Sequence, residues 1–426
     1  MRIRTLKLER FRGARNLSIE LDERLNLFVG MNGAGKSSIL DATAILLSWM
    51  ANRIKHPGAS GRPITEEDIS NGESSGNLQI SVTERDKEIT WNISRVRKGY
   101  SRKEVISDLS SMTELTRRIN EEITVRKGQV NLPLLAYYPV NRVVLDIPLR
   151  IKSRHSFDLL AAYDESLTSG ANFRTFFEWF REREDLENEA RRDQMPMLPD
   201  DSTAVFPDPQ LEVVRLALTT FMPEFRNLTV RRNPLRMEVE KGGARLTVNQ
   251  LSDGEKCLMA LVGDLARRLA IANPERKNPL EGEGIVLIDE IDLHLHPVWQ
   301  RMVIPKLLSV FTNCQFLITT HSPHVITHVR PASLFLLSMT EKGLKMERAA
   351  ASYGRTVERI LADLMGVENT RPKEVGEAFR ETYNLIDRAR LDDAKAAIAR
   401  LESEIGSDSE LVKANVLIKR KELIGK

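Results

Sequence analysis

The sequence predicts an α/β fold with a buried parallel sheet, because two apolar segments each lead into residues suited to binding phosphate or metal ions. The run from Leu25 to Val29 is apolar except for Asn26, and a glycine-rich loop follows it. The run from Gly284 to Ile288 is followed by two carboxylates. Strands buried on both faces of a parallel sheet carry such runs, and ligands bind at their carboxyl ends. We therefore expect the loop and the carboxylates to meet at one edge of the sheet.

The loop after the first strand runs from Gly30 to Ser37 and matches the phosphate-binding pattern G-x-x-x-x-G-K-[ST]. Its glycines let successive backbone N–H groups turn toward an anion. The helix predicted to follow adds the positive end of its dipole. We expect Lys36 to bind the β- and γ-phosphates of a nucleoside triphosphate, and the Ser37 hydroxyl to bind Mg²⁺. The predicted nucleotide contacts in this loop are Gly30, Asn32, Gly33, Gly35, Lys36, Ser37 and Ser38.

The carboxylates after the second strand are Asp289 and Glu290. Taken alone, an acidic strand end that caps the next turn is an adequate interpretation. Together with the phosphate loop, the pair predicts magnesium-dependent hydrolysis of a nucleotide. Asp289 is then expected to hold Mg²⁺, and Glu290 to polarise the attacking water.

A third segment, Leu251-Ser252-Asp253-Gly254-Glu255, precedes a long amphipathic stretch. With the two segments above, it resembles the ABC-type ATPase superfamily, whose signature begins Leu-Ser-Gly-Gly. Asp253 replaces the first glycine, and Glu255, at the usual glutamine, is typical of RecF-like and chromosome-maintenance members. The resemblance implies an ABC-type α/β fold with a mixed sheet, in which Ser252 and Gly254 contact nucleotide held by a second subunit. A capping box at the start of a helix is a compatible interpretation of the same residues.

Two later segments extend this resemblance. The run Asp292-Leu-His-Leu-His-Pro297 follows the carboxylates, and another apolar strand ends at His321. In the superfamily these places hold the loop that communicates across the dimer and the switch histidine. His321 is thus expected to contact the γ-phosphate, sense its presence and join Glu290 and Lys36 in catalysis. A transition-metal site at the nearby histidines is not favoured, because no cysteine or carboxylate completes a ligand set at a familiar spacing.

The N-terminal segment resembles RecF-like ATPases. Residues 1–13 and 17–21 alternate apolar and polar positions, which predicts a hairpin. An arginine before the turn is typical of this branch, and the resemblance implies that Arg12 contacts the nucleotide base. The strand predicted near 132–138 leads to the place of the family's Q-loop, where Asn141 or Arg142 takes the position of the glutamine.

Composition limits the function classes. The 426 residues are 41% hydrophobic and 29% charged, which is ordinary for a globular protein. No apolar run reaches roughly 18 residues and no signal peptide is recognisable, so we expect a cytoplasmic protein without a membrane partner. Two cysteines exclude a disulfide framework. The net charge of +3 is too small to indicate a nucleic-acid-binding protein. Basic clusters at 150–154 and 226–236 leave contact with nucleic acid open.

Four regions are predicted along the chain: an ATPase lobe with the phosphate loop at 1–145, a helical insert at 146–230, a second lobe with the signature, carboxylates and switch histidine at 231–345, and a helical partner-docking region at 346–426. The insert is short, whereas Rad50-like and SMC-like proteins carry long heptad arrays there. Apolar residues recur at helical spacing from Leu385 to Leu401, and a turn follows at 406–408. No nuclease activity is expected, because neither a Toprim-like acidic set nor a His-Asn-His pattern is present.

The combined pattern resembles the PtuA-like ATPases of Septu and retron anti-phage defence. The Asp-Leu-His-Leu-His-Pro run, the short insert and the helical C-terminal region carry this finer resemblance. It implies an ATP-binding and hydrolysing subunit, with ATP and Mg²⁺ as cofactors, that controls a separately encoded HNH nuclease (PtuB-like) through ATP-dependent dimerisation. Implied partners are a second copy or higher homo-oligomer, the nuclease and, in a retron, the reverse transcriptase and its msDNA. The alternative is a RecF-like DNA repair ATPase that binds DNA as an ATP-closed dimer.

Overall fold

The computed structural model describes residues 1–100, 106–140, 158–168, 173–194, 207–367 and 370–424. The chain divides into two compact units, Met1–Arg355 and Thr356–Lys426. The sequence-based boundary at 346 falls within the first of these units.

The strands within the described residues are β1 (Arg2–Phe11), β2 (Ala14–Glu20), β3 (Leu25–Gly30), β4 (Ser75–Glu84), β5 (Lys87–Val96), β6 (Leu134–Tyr138), β7 (Phe225–Arg232), β8 (Leu235–Lys241), β9 (Ala244–Thr247), β10 (Gly284–Ile288), β11 (Cys314–Thr320), β12 (Leu334–Thr340) and β13 (Gly343–Arg348). The helices there are α1 (Lys36–Lys55), α2 (Ser110–Val125), α3 (Phe173–Gln194), α4 (Pro209–Phe221), α5 (Asp253–Ala272), α6 (Pro297–Val310), α7 (Pro323–Ile326), α8 (Val357–Met365), α9 (Lys373–Asp387), α10 (Leu391–Ile405) and α11 (Ser409–Ile424).

The central sheet has six strands in the order β13-β12-β3-β11-β10-β6. Neighbouring strands from β12 to β6 pair in parallel, and only β13 runs antiparallel, at one edge. Every residue of β6, β10 and β11 is buried. The continuous apolar runs therefore form strands covered on both faces, as the sequence predicts. Strands from both predicted ATPase lobes lie in this one sheet.

A second, antiparallel sheet has the order β2-β1-β4-β5. Its β1–β2 hairpin confirms the prediction from the alternating N-terminal pattern, with Leu6 opposite Ile19. The helix α1 is buried along most of its length and contacts strands of both sheets. The indole Nε1 of Trp91, on β5, donates to the carbonyl of Leu46 in α1 at 3.2 Å. The helix that begins at the phosphate loop is therefore held firmly inside the fold.

The insert region contributes helices, and a third sheet extends across its predicted boundary at 230. In α3, the side chains of Phe176, Phe177, Trp179 and Phe180 are fully buried, and the ring of Phe176 lies where a side chain at Gly263 of α5 would be. Only a glycine there permits this close approach of α3 to α5. The strands β7, β8 and β9 form a three-stranded antiparallel sheet that the sequence did not predict.

A buried ionic cluster joins α5 to the central sheet. Asp264 accepts hydrogen bonds from Arg267 at 2.6 Å and from Arg268 at 2.7 Å, and all three side chains are buried. The hydroxyl of Tyr138, at the end of β6, also donates to Asp264, at 3.0 Å. The carbonyl of Tyr138 in turn accepts the backbone N–H of Asp289 at 2.8 Å. The cluster thus ties the amphipathic helix to the strand end that carries the candidate magnesium ligand.

The C-terminal unit consists of α8 to α11. Its core joins residues of α9, α10 and α11, among them Phe379, Ile398 and Leu411. The apolar repeat from Leu385 to Leu401 lies on two helices, because the chain turns at Ala389, whose φ is 58°. The turn predicted at 406–408 separates α10 from α11.

The predicted fold class is confirmed, since the chain is α/β with a mixed central sheet and C-terminal helices. Among the described residues, no helix combines the length and the apolar character needed to cross a bilayer.

Candidate nucleotide-binding site

The candidate site lies at the carboxyl edge of the central sheet, where three neighbouring strands end together. In the parallel register Thr320 of β11 is opposite Val29 of β3, and Ile318 of β11 is opposite Ile288 of β10. The phosphate loop, the two carboxylates and His321 begin just after these positions. Topology therefore brings together three segments that are distant in sequence.

The phosphate loop has the backbone conformation that its glycines allow. Gly33 and Gly35 have φ values of 79° and 83°, a left-handed region that other residues avoid. A side chain at Gly30 would overlap the carbonyl oxygen of Leu337, so β12 packs directly against the start of the loop. These glycines meet two different requirements, turn conformation and close packing.

Lys36 is buried at the base of this loop and is 5% exposed. Its Nζ donates to the carbonyl of Gly30 at 2.9 Å and to that of Met31 at 3.1 Å. Burial lowers the pKa of Lys36, while Glu290 and Asp289, followed by Asp292, oppose that change. The ammonium group is therefore held by loop carbonyls and by the field of three nearby carboxylates.

The first turn of α1 is open to an anion. Its cap residue, Gly35, has no side chain to bond the first N–H groups, and no acidic residue lies in this turn. Ser37 is exposed there and Ser38 is half-buried. Unpaired N–H groups and the helix dipole both favour a negative ligand at such a terminus.

Thr319 bonds to both Asp289 and Glu290, and sequence reasoning did not single it out. Its hydroxyl donates to the carboxylate of Asp289, which is 2% exposed, and accepts the backbone N–H of Glu290 at 2.7 Å. Glu290 has a φ of 47°, an uncommon conformation for a residue with a side chain. A threonine near the end of a buried strand was the signal available in the sequence.

His321 faces Glu290, with 3.8 Å between its Nε2 and the carboxylate oxygen Oε1. Asp292 holds the turn before the imidazole, because it accepts the Thr320 hydroxyl at 2.5 Å and the His321 backbone N–H at 3.4 Å. Burial lowers the pKa of His321, and the positive charge of Lys36 lowers it further, against the opposing effect of Glu290. The net effect favours the neutral form of the imidazole.

The signature segment forms the start of α5. Ser252 caps the helix by accepting the N–H of Glu255, and the carboxylate of Glu255 accepts the N–H of Ser252 at 2.9 Å. A side chain at Gly254 would overlap the carbonyl oxygen of His294, so this glycine lies directly against the loop that follows the carboxylates. Lys241, at the end of β8, pairs with Glu255. The capping box is therefore present, and the hydrogen bonds of Ser252 stay within its own helix turn.

A family model described as "AAA domain, putative AbiEii toxin, Type IV TA system" matches residues 25–327. That range runs from β3 to just beyond α7 and contains all three segments of the site. A relative named "Retron Ec83 probable ATPase", from Escherichia coli, is 31% identical, and the match covers 96% of this chain and 85% of that protein. The chain belongs to this AAA family, as a PtuA-like defence ATPase.

Two further comparisons concern another relative and a solved structure. "Septu protein PtuA" from Bacillus thuringiensis is 25% identical to this PtuA-like ATPase, with 94% of this chain and 93% of that protein covered. Among solved structures, the SMC head bound to the C-winged helix domain of ScpA has a TM-score of 0.48 and 17% identity, over 82% of this chain and 98% of that chain.

Arg12, the residue expected to contact the nucleotide base, has two carboxylate partners in the PtuA-like ATPase. Its guanidinium donates to Asp41 of α1 at 2.8 Å and to Asp68 at 2.9 Å. Burial alone would lower the pKa of Arg12, but these two carboxylates raise that pKa overall. Arg12 thus links the N-terminal hairpin to α1, one turn beyond Ser37. The Q-loop candidates Asn141 and Arg142 lie outside the described residues, as does the basic cluster at 150–154.

The basic cluster at 226–236 is largely neutralised by carboxylates. Arg231 and Arg236 pair with Glu238 at 2.9 Å and 2.7 Å. Arg232 pairs with Glu184 and Asp185 of α3 at 2.6 Å and 2.5 Å. Three arginines of this cluster therefore hold the β7–β8 hairpin to itself and to α3.

Proposed function

We propose that the chain binds ATP and Mg²⁺ at the carboxyl edge of the central sheet and hydrolyses ATP within a closed dimer, and that this cycle controls a separately encoded HNH nuclease in anti-phage defence. One observation carries the proposal. The ammonium group of Lys36, the carboxylates of Asp289 and Glu290 and the imidazole of His321 converge beside the uncapped start of α1.

The residues of the loop fit a triphosphate. Left-handed glycines and an uncapped helix start supply backbone N–H groups to phosphate oxygens. Lys36, now bonded to the carbonyls of Gly30 and Met31, supplies the positive charge for the β- and γ-phosphates. Asn32 and Gly33 are exposed at the tip of the loop, and Ser38 continues the helix start.

The oxygen donors of the site fit Mg²⁺, which prefers carboxylate, hydroxyl and phosphate oxygens. The exposed hydroxyl of Ser37 and the carboxylate of Asp289 would hold the ion. Thr319 keeps Asp289 in one orientation, which suits a ligand that must meet a strict coordination geometry. When bound, Mg²⁺ neutralises charge on the phosphates.

Glu290 and His321 are assigned to the attacking water and the γ-phosphate. Glu290 orients and polarises the water, as a positioned carboxylate does in nucleotide hydrolysis. His321 is half-buried, and burial and the charge of Lys36 lower its pKa, which favours the neutral imidazole. A neutral imidazole keeps one N–H donor, which His321 would donate to a γ-phosphate oxygen.

The second copy would supply Ser252 and Gly254. The start of α5 is already folded by its own capping box, and Ser252 is exposed. Gly254 sets this helix against the backbone of His294, itself an exposed residue. We propose that these residues form one surface that meets the phosphate loop of the second copy.

The partner assignment has separate support. Two relatives carry the names of Septu and retron systems. Within the C-terminal unit, α11 buries Leu411 and Ile418 but leaves Val412, Val416 and Leu423 exposed. We propose that this apolar stripe docks the HNH nuclease and, in a retron, helps to hold the reverse transcriptase and its msDNA. The carboxylate pairing of Arg231, Arg232 and Arg236 gives no support to the DNA repair alternative.

Substitution of Glu290 tests the catalytic assignment. Loss of a general base lowers a rate by about 10²- to 10⁴-fold. The rate of phosphate release by Glu290→Gln should therefore fall by at least about 10²-fold. ATP should still bind, and a dimer should accumulate with ATP in size-exclusion chromatography. Glu402→Gln, exposed on α10, is the matched control and should keep the parental rate. Hydrolysis by Glu290→Gln at the parental rate would show that the assignment is wrong.

Substitution of the α11 stripe tests the partner assignment independently. The double variant Val412→Asp and Val416→Asp should lose the nuclease subunit in co-purification from cells that express both genes, with ATP hydrolysis unchanged. Val125→Asp, at an exposed valine of α2, is the control. If the double variant retains the nuclease, another surface docks it; salt-sensitive DNA binding by the isolated chain would favour the repair alternative.

A further inference from the structure

Gln300, on the second turn of α6, bonds to two loops of the candidate site at once. Its Nε2 donates to the carbonyl of Leu295 at 2.8 Å and to that of Asp292 at 3.4 Å. Its Oε1 accepts the hydroxyl of Ser322 at 2.7 Å. Leu295 and Asp292 belong to the loop between β10 and α6, which we call the carboxylate loop (residues 289–296). Ser322 directly follows His321.

The hydrogen-bond pattern determines which way the amide of Gln300 points. Ser322 caps α7, and its oxygen accepts the backbone N–H groups of His324 and Val325. The single hydroxyl proton of Ser322 is therefore free to be donated to Oε1 of Gln300. The opposite end of the amide faces two carbonyl oxygens and must be the NH₂ group. A carboxylate or an apolar side chain at this position cannot make all three bonds.

Both loops held by Gln300 carry residues assigned to the reaction. The carboxylate loop contains Glu290, and its His294 carbonyl lies against Gly254 at the start of α5. The second loop contains His321, which is 3.8 Å from Glu290. Gln300 is half-buried, and each of its side-chain bonds goes to one of these loops. It therefore bridges the catalytic residues and the surface that presents the signature helix.

We propose that Gln300 is a positioning residue for ATP hydrolysis, which fixes His321 relative to Glu290 and couples both to the start of α5. Gln300 does not touch nucleotide in this assignment; it acts through the two loops that it joins. The inference rests on the proposed ATPase function, but it adds a residue and a coupling that the nucleotide-binding segments do not contain. Displacement of a reacting group by about 1 Å costs on the order of 10²-fold in rate, so a modest loosening of these loops is sufficient to impair turnover.

The proposal predicts a split between kcat and KM. Gln300→Met keeps the length of the side chain and removes all three bonds. We expect kcat for ATP hydrolysis to fall by at least about tenfold, with KM for ATP within about threefold, because the phosphate loop and Lys36 are untouched. Gln129→Met makes the same replacement at an exposed glutamine and should leave both constants unchanged. A kcat for Gln300→Met within about twofold of the parental value overturns the proposal.

A double-mutant cycle with Ser322 distinguishes positioning from general destabilisation. Ser322→Ala removes the bond from the other side, so its effect on kcat and that of Gln300→Met should overlap, with the double variant little worse than the stronger single variant. Multiplied effects on kcat would mean that the two residues act separately, which contradicts the bridge. If Gln300→Met does not fold, the kcat and KM of Ser322→Ala decide, with the same limits.

The controls separate this inference from the proposed function. If the parental chain does not hydrolyse ATP, or if Lys36 and Glu290 variants hydrolyse it normally, the proposed function is wrong. If those variants behave as expected and the Gln300 variants match the parental chain, only the positioning role is wrong.

Discussion

The helices α1 and α5 both begin at residues assigned to phosphate, but their N-termini differ. At α1 the cap is Gly35, which offers no side chain, and the first turn contains no acid. At α5 the cap is Ser252, and Asp253 and Glu255 lie in the first turn. The N-terminal N–H groups of α1 therefore lack a protein acceptor from a capping side chain, whereas the start of α5 is closed by a reciprocal capping box.

The charges of the two N-termini differ in the same sense. Lys256 lies 3.1 Å from Asp253, and Lys241 pairs with Glu255, so two lysines offset the two acids of α5. The first residue of α1 is the buried, positively charged Lys36. We infer that the start of α1 is suited to receive an anion. The start of α5 already has its capping bonds in the free chain, and it offers the Ser252 hydroxyl with little net charge around it. Under the proposed function, this difference predicts that ATP binding stabilises α1 and that dimer formation uses α5.

The largest expected effect is on ATP affinity. Lys36→Ala should weaken ATP binding by about 10- to 100-fold, since a hydrogen bond from a charged group contributes about 1.5–3 kcal/mol. Isothermal titration calorimetry measures the affinity. Lys419→Ala, exposed on α11, serves as the control. Unchanged ATP affinity would remove the distinction between α1 and α5.

A smaller effect is expected at the start of α5. Ser252→Ala should lower stability by about 1 kcal/mol through loss of the cap, and it should abolish the ATP-dependent dimer of a Glu290→Gln chain. Asp208→Ala is the control, because it removes the cap of α4 in the same unit, together with the Asp208–Arg183 ion pair. Asp208→Ala should destabilise the chain and still dimerise. A Ser252→Ala chain that dimerises normally with ATP would leave Ser252 with a capping role alone.

The smallest effect is expected from Glu255→Gln, which retains a capping side chain and loses the charge paired with Lys241. Burial alone would raise the pKa of Glu255, but Lys241 and the Ser252 N–H lower it overall. A lowered carboxyl pKa stabilises the fold above the unfolded value near pH 4.3. The stabilisation is lost as pH falls through the folded pKa.

The corresponding measurement compares the stabilities of the parental chain and Glu255→Gln across pH. The difference should be below about 1 kcal/mol. It should be constant above about pH 5 and decline below about pH 4. Glu402→Gln should show no such decline. A difference that grows toward acid pH would mean that the charge of Glu255 is not favourable in the folded state.

Local sequence patterns predicted the parts of the fold that depend on local chemistry. The apolar runs became buried strands, and the glycines at 33 and 35 took the left-handed conformations that the loop needs. The alternating N-terminal segment became the β1–β2 hairpin. The three-stranded sheet β7–β9 was not predicted, since its short, charge-rich strands resemble exposed loops. Arginines that suggested a nucleic-acid surface there bond to Glu238 and to α3 instead.

The candidate site likewise contains residues that local motifs reveal and residues that only the fold brings into place. Sequence motifs identified Lys36, Asp289, Glu290 and His321, because each belongs to a short pattern whose chemistry is recognisable without a fold. No motif marks Thr319, Gln300 or Lys241. These residues matter through bonds to partners that are distant along the chain. The Lys241–Glu255, Gln300–Ser322 and Thr319–Asp289 bonds span 14, 22 and 30 residues, and the fold brings the loops that carry them together.

The sequence by itself thus determined which chemical groups the chain offers to a nucleotide: loop amides, one ammonium, two carboxylates, a serine cap and an imidazole. Tertiary structure decided how those groups are oriented. Parallel pairing of β3, β11 and β10 aligned three distant segments at one edge. Gly254 then places the start of α5 against the carbonyl of His294, and Gln300 joins the carboxylate loop to the loop that carries His321. The physical reason is that a motif consists of residues adjacent in the sequence, whereas the orientation of its side chains depends on contacts between segments far apart in the chain.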